Sequence, residues 1–222
     1  MAKVKIGNVF PPDEYLLQRC APAGYGYGET MYYVYGTESE LETKFSEIIA
    51  AMEDGTTRQI SFTCSDGTLY SMGRFKATIF RYEAGYAHIC AETYRNYAVM
   101  KTLYDGAWNP VEWVNPPMRP GEEYRTTERW NGKPVYRKLV VFTMTEATGA
   151  EFTVPHGISN FGGLVRQNAV TQDKFQLPYI YDGKTTWVSA VNDTNIVVSN
   201  TGLEWDSSYS WNFDLYYTKT TD

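Results

Sequence analysis

Three prolines within seven residues, Asn115-Pro116-Pro117-Met118-Arg119-Pro120-Gly121, constrain this chain more than any other stretch of its sequence. Each proline fixes φ and removes a backbone donor, so the stretch can be neither helix nor central strand. Shortly after it comes Asn131-Gly132, the pair best suited to the two positive φ angles of a two-residue type I′ turn. Tyr124–Trp130 before the turn is polar and extended. After it, Val135 and Leu139-Val140-Val141-Phe142 run into a buried strand. A stiff connector followed by a hairpin reads as the joint between two modules.

Downstream of that joint no helical period is present. Strand candidates are Val135–Thr145, Glu151–Val154, Gly163–Thr171, Phe175–Tyr181, Thr185–Val191, Asn195–Ser199 and Ser210–Thr218, with turn residues between them. Such spacing marks a sandwich or barrel. The last strand alternates strictly, Trp211, Phe213, Leu215 and Tyr217 against Asn212, Asp214, Tyr216 and Thr218. One of its faces must be buried, by a partner sheet or by another subunit.

Upstream, Met31–Tyr35 is strand-like and is followed by an amphipathic helix over Glu38–Met52. Leu41, Phe45, Ile48, Ile49 and Met52 form one apolar stripe. Thr37 with Glu40, or Ser39 with Glu42, supplies a capping box, and Gly55 is the expected C-terminal cap. Strands then dominate: Thr57–Cys64, Leu69–Met72, Phe75–Tyr82, Tyr86–Thr93 and Tyr97–Tyr104. The first 29 residues carry Pro11-Pro12 and the loop-forming Ala21–Gly28, and are expected to dock on a neighbour. The fold expected is therefore mainly β: a small α+β module with one helix and several antiparallel strands, then a C-terminal antiparallel β-sandwich. Its segments are an attachment segment (1–29), the α+β module (30–114), the connector and hairpin (115–133) and the sandwich (134–222).

Composition removes several functions. With 26 acidic against 20 basic residues the net charge is −6, which opposes a non-specific grip on nucleic acid. The densest basic cluster, Arg125, Arg129, Lys133, Arg137 and Lys138, is interleaved with Glu122, Glu123 and Glu128. Cys20, Cys64 and Cys90 have neither disulfide nor zinc spacing, and are expected to be reduced thiols in a chain that folds in a cytoplasm. No apolar run is long enough to span a bilayer and no secretion signal is expected at the start, so membrane insertion is not anticipated. Nor does any cofactor cradle or metal motif occur: Gly24-x-Gly26-x-Gly28 lacks the helix that should follow it. The two imidazoles offer little: His88 and Cys90 are expected on opposite faces of their strand, and His156 is expected to bond backbone in a turn. Carboxylate pairs for glycoside hydrolysis carry no information among 26 acidic residues.

Aromatics are the compositional excess, with 19 Tyr, 10 Phe and 6 Trp. Rings that stack on the C–H faces of sugars, beside amides and carboxylates that bond hydroxyls, make a glycan site. In the distal module Tyr181, Trp205 and Tyr209 near turns, with Asp182 and Asn192, are the candidate ligand-binding residues. Trp187 and Trp211 are expected in the core. No catalytic residue, metal ligand or cofactor is assigned.

The order strand, helix, turn-linked strands and a closing Trp108…Glu112-Trp113 resembles the pyocin-knob type of domain in phage and pyocin tail fibres. Lys5-Ile6-Gly7-Asn8-Val9 and Ala21–Gly28 resemble openings of phage and prophage tail proteins. The hairpin Glu128–Lys138 is similar to one that precedes distal head domains of tail-fibre subunits. That resemblance implies a homotrimer in the virion tail, assembled in the bacterial cytoplasm. The N-terminal segment would face other tail proteins and the sandwich would form the tip. The function expected is non-enzymatic attachment to a bacterial surface glycan. A structural baseplate or head-fibre decoration protein and a polysaccharide depolymerase are the alternatives.

Overall fold

The computed structural model describes residues 32–69, 72–143, 151–171, 176–181, 184–200 and 210–221, with backbone alone at 32, 68, 179–181, 184–188 and 200. The chain is mainly β with one α-helix among the described residues. It divides into two compact units, the first ending at Val111 and the second beginning at Glu112.

The first unit runs β1 (Tyr32–Gly36), α1 (Glu38–Ala50), β2 (Thr57–Cys64), β3 (Arg74–Glu83), β4 (Tyr86–Thr93), β5 (Ala98–Tyr104) and a short β6 (Ala107–Trp108). Its sheet has the order β1-β2-β3-β4-β5, with β6 on β5. Strands β2 to β5 form an antiparallel meander, but β1 lies parallel to β2. A parallel neighbour needs a crossover of a dozen or more residues, and α1 with its flanking turns supplies one. Of the expected strand Leu69–Met72, Leu69 belongs to a 3₁₀ turn at Gly67–Leu69, and residues 70 and 71 lie outside the described residues.

Helix α1 begins as its sequence dictates. Thr37 Oγ1 accepts from the Glu40 amide at 3.2 Å, and Glu40 Oε2 accepts from the Thr37 amide at 2.8 Å. Its C-terminus departs from expectation. The cap is Ala51, and Gly55 (φ +74°) donates instead to the carbonyls of Arg81 and Tyr82 at 3.0 and 3.2 Å. The last carbonyls of the helix are satisfied by Arg81, reaching in from β3. Its Nη1 donates to the oxygens of Ile49, Ala50 and Met52 at 2.6, 3.2 and 2.7 Å. Leu41, Phe45 and Ile49 bury one helix face against one face of the sheet. Phe45 meets Phe62 edge-on at 5.3 Å, and Phe62 stacks on Phe75 at 4.9 Å. Ile60, Ile79, Ala87 and Ile89 complete this layer.

The second unit comprises β7 (Glu112–Asn115), β8 (Glu123–Trp130), β9 (Lys133–Thr143), β10 (Glu151–Pro155), β11 (Phe161–Thr171), β12 (Tyr179–Tyr181), β13 (Lys184–Val191), β14 (Asn195–Asn200) and β15 (Ser210–Lys219). Within it β7-β8-β9-β15-β11 make one sheet and β10-β14-β13-β12 the other. Hydrophobic burial joins the two into a sandwich: Val140, Ala169, Trp211, Phe213, Leu215 and Tyr217 from the first sheet pack with Ile196, Val198 and Phe152 from the second. So the apolar face of β15 fills the core of its own unit. The proline segment and the hairpin also belong to this unit, and Glu112 anchors the hairpin. Its Oε1 accepts from Arg125 at 3.1 Å and from Arg129 at 2.5 Å while the residue is only 8% exposed.

The β8–β9 turn has Asn131 at φ +50° and Gly132 at φ +78°. A Cβ on Gly132 would meet nothing within 4 Å, so backbone strain alone sets the effect of adding one. Gly132→Ala is expected to cost about 1–2 kcal/mol. It should lower the urea midpoint of the second unit with the slope of the transition unchanged.

Candidate functional site

Helix α1 covers one face of the first unit's sheet and, among the described residues, leaves the other bare. Period-2 alternation assigns the bare face: Tyr33 and Tyr35 from β1, Phe80 and Tyr82 from β3, Tyr86, His88 and Cys90 from β4, Met100, Thr102 and Tyr104 from β5. Cross-strand register sets them side by side. Phe80 faces His88, His88 faces Thr102, and Cys90 faces Met100. Tyr33, Tyr35, Tyr82 and Tyr104 are each more than half exposed.

Some of these groups meet directly. Tyr86 and Tyr104 meet edge-to-face at 5.3 Å and 83°. Phe80 stacks on the His88 ring at 4.5 Å, and the Tyr82 hydroxyl is hydrogen-bonded to His88 Nδ1 at 2.6 Å. At the β1 side the Arg74 guanidinium lies over the Tyr33 ring at 4.5 Å and donates to Ser61 Oγ. Burial lowers the His88 pKa below its ordinary value and raises that of the Cys90 thiol. Near neutral pH both are therefore uncharged. The surface offers flat ring faces edged by hydroxyls and one imidazole, which suits stacking and hydrogen bonding more than charge attraction.

His88 and Cys90 share this face, contrary to the expectation that they part. Two steps along a strand return a side chain to the same side. His156 is a turn histidine bonding backbone, as its sequence implies. It is 2% exposed, its Nδ1 accepts from the Ile158 amide and its Nε2 donates to the Asn192 carbonyl, each at 3.1 Å. Cys64 is buried, and its thiol is pushed up to about 11 by that burial. Among the described residues no group of three or more His, Cys, Asp and Glu is placed to hold a metal ion. No helix there is long and apolar enough to cross a membrane.

Of the residues proposed from sequence, Asp182, Trp205 and Tyr209 lie outside the described residues, as does the side chain of Tyr181. The backbone of Tyr181 pairs with Lys184 at one end of β13, whereas Asn192 follows the other end of that strand. At about 3.3 Å per residue the two are separated by roughly 25 Å, so the structure does not bring them together. Asn192 has a local duty: its Oδ1 accepts from the amides of Thr194 and Asn195 at 3.0 and 2.8 Å, closing the β13–β14 turn. Trp187 has no described side chain; Trp211 is buried in the core. The aromatic face of the first unit escaped the sequence reading, although the alternation of Phe80-Tyr82 and Tyr86-His88 was there to be counted. Nor does the closing Trp108…Trp113 pair act as one element. Trp108 leans on α1 in the first unit, its Nε1 donating to Ser46 Oγ at 3.0 Å, and Trp113 packs edge-on against Tyr124 in the second.

No family model matches this chain, and no curated protein matches it. Three solved structures are similar to it. One is an N-truncated R2-type pyocin tail fibre, with 8% identity over 86% of this chain and 99% of that one and a TM-score of 0.28. A C-terminal fragment of the R2 pyocin fibre of P. aeruginosa has 9% identity over 88% of this chain and 69% of its own, with a TM-score of 0.27. The corresponding fragment of the R1 pyocin fibre of P. aeruginosa has 9% identity over 88% and 70%, with a TM-score of 0.24. The solved structures to which this chain is similar are thus pyocin tail fibres.

Proposed function

We propose that this chain is a non-enzymatic tail-fibre subunit of a phage or prophage, attaching to a bacterial surface through glycan. The observation that carries the reading is the bare sheet face of the first unit. There Phe80 and Tyr82 contact the His88 imidazole, Tyr86 and Tyr104 pair edge-to-face, and four tyrosines of that face are more than half exposed. Rings with hydroxyl tips match the alternating C–H faces and hydroxyls of a saccharide. The motifs that resemble tail-fibre sequences point the same way.

In this reading the subunit is a homotrimer of the virion tail, assembled in the host cytoplasm. Its segments are 1–29 for attachment to other tail proteins, 30–114 as the knob-like module, 115–133 as connector and 134–222 as the head. Weak sugar contacts repeated threefold give avidity without new contacts. Tyr181, Asp182, Asn192, Trp205 and Tyr209 are proposed as further ligand-binding residues of the head.

The test is adsorption of the purified chain to a panel of bacterial cells and a bacterial glycan array. Binding is expected, and Tyr86→Ala with Tyr104→Ala should weaken it by about tenfold or more, the equivalent of about 1.4 kcal/mol. No bound cell or sugar would favour a structural baseplate or head-fibre role. Release of reducing ends from capsule or wall polysaccharide would make the chain a depolymerase. A mass near 25.4 kDa in dilute solution would count against the trimer.

A further inference from the structure

We propose that His156 is an acid-sensitive latch of the second unit, holding the segment between β10 and β11 closed only while the imidazole is neutral. Every polar atom of the ring has a fixed task. Nδ1 accepts from the Ile158 amide at 3.1 Å, and Nε2 donates to the Asn192 carbonyl at 3.1 Å. The His156 amide itself donates to the Thr194 carbonyl at 3.1 Å. Together these bonds tie the β10–β11 segment to the β13–β14 turn. Gly157 stands between the two bonded residues at φ +61°, which folds the chain back so that the Ile158 amide reaches the ring.

Protonation has nowhere to go in this arrangement. A proton on Nδ1 would set an N–H against the Ile158 N–H, turning a hydrogen bond into a donor–donor clash and leaving a buried amide unpaired. Charge adds to the cost. Lys138 from β9 donates to the Gly157 carbonyl at 2.7 Å, so its ammonium group faces the same turn. Asp193, in the β13–β14 turn, favours the charged ring, and from β11 the ring meets the apolar side chain of Phe161 at 5.2 Å. Burial first, with Lys138, outweighs the Asn192 carbonyl bond and Asp193, and the pKa of His156 is lowered. The residue is 2% exposed, and Ile158, held by the same bond, is a member of the core cluster. Opening the latch therefore withdraws Ile158 from the core.

The sign follows from linkage. In the unfolded or opened chain the imidazole has its ordinary pKa of about 6.5; closed, it is lower. The latch contributes fully above about pH 6.5 and is lost as pH falls below it toward the closed-state value. One proton taken up on opening gives a slope approaching tenfold in the opening equilibrium per pH unit.

Amide hydrogen exchange of the intact chain between about pH 7.5 and about pH 5.5, corrected for the intrinsic dependence of exchange on pH, tests this. Protection over 156–160 and 192–198 is expected to fall by up to about tenfold per pH unit below about pH 6.5, while β2 and β3 hold theirs. His156→Asn keeps an oxygen where Nδ1 accepts, does not titrate, and should abolish the pH dependence. NMR titration of the wild-type imidazoles is a readout that needs no variant, and His156 should titrate below its ordinary value. A flat profile over these segments, an equal profile in His156→Asn, or a His156 titration at or above about 6.5 would each overturn the latch.

Discussion

Phe213→Ala is expected to remove about 3–5 kcal/mol from the second unit. Phe213 is 0% exposed at the middle of β15, stacked on Phe142 at 5.5 Å and tilted against Trp211 at 6.2 Å. Residues of both sheets belong to the same buried cluster, so truncation opens a void lined from two sides that neither sheet can close by sliding. Against a total domain stability of about 5–15 kcal/mol the loss is large enough to populate unfolded second unit in mild denaturant. The control lies on β9, which pairs with β15. Val141 is 44% exposed on the outer face, and Val141→Ala should stay within about 0.5 kcal/mol. Urea unfolding of both variants measures the contrast. A Phe213→Ala cost below about 1 kcal/mol would mean that this face is sealed by something other than the chain's own second sheet.

What the sequence disclosed, and what it withheld, divides along the range of the interaction involved. The capping box of Thr37 and Glu40 involves residues three apart, and the φ angles of Asn131 and Gly132 depend on those residues alone, so both were legible. The alternation of Trp211, Phe213, Leu215 and Tyr217 announced a buried face but not its cover. Closure by β10 and β14 required strands that are distant in sequence, and no residue pattern states such a pairing. The parallel pairing of β1 with β2 was hidden for the same reason.

The candidate site was less legible than the fold. Glycan chemistry needs rings on one exposed surface, and composition reports rings without saying which are exposed. Turn residues beside rings single out Tyr181, Asp182, Asn192, Trp205 and Tyr209 in the sequence. The surface that the structure displays is the bare side of a sheet, where Tyr82, Tyr86 and Tyr104 come from three strands and meet only through register. Turn-forming and ligand-binding amides look alike in sequence, and Asn192 forms a turn. Its side chain closes the β13–β14 turn and its carbonyl receives His156.

Arg81→Met should cost the first unit about 2–4 kcal/mol, nearly all of it through α1. The last turn of α1 carries no basic residue, so the negative end of its dipole has no cation of its own. Arg81 supplies one from β3 and bonds the carbonyls of Ile49, Ala50 and Met52, of which Ile49 also accepts from the Met52 amide. Its partner Asp54 bonds the same guanidinium at 2.8 Å but is 60% exposed, so Asp54→Ala should change stability by less than about 1 kcal/mol. Arg81→Lys should recover little, because an ammonium on a flexible stem cannot reproduce a planar fork aimed at several oxygens at once. Hydrogen exchange locates the effect. The amides of the last two turns of α1 should lose protection in Arg81→Met while those of β4 and β5 lose much less, since their ladders do not pass through the guanidinium. Uniform loss across the first unit would instead show Arg81 acting through sheet packing. No loss would mean that water satisfies the helix end as well as the side chain does.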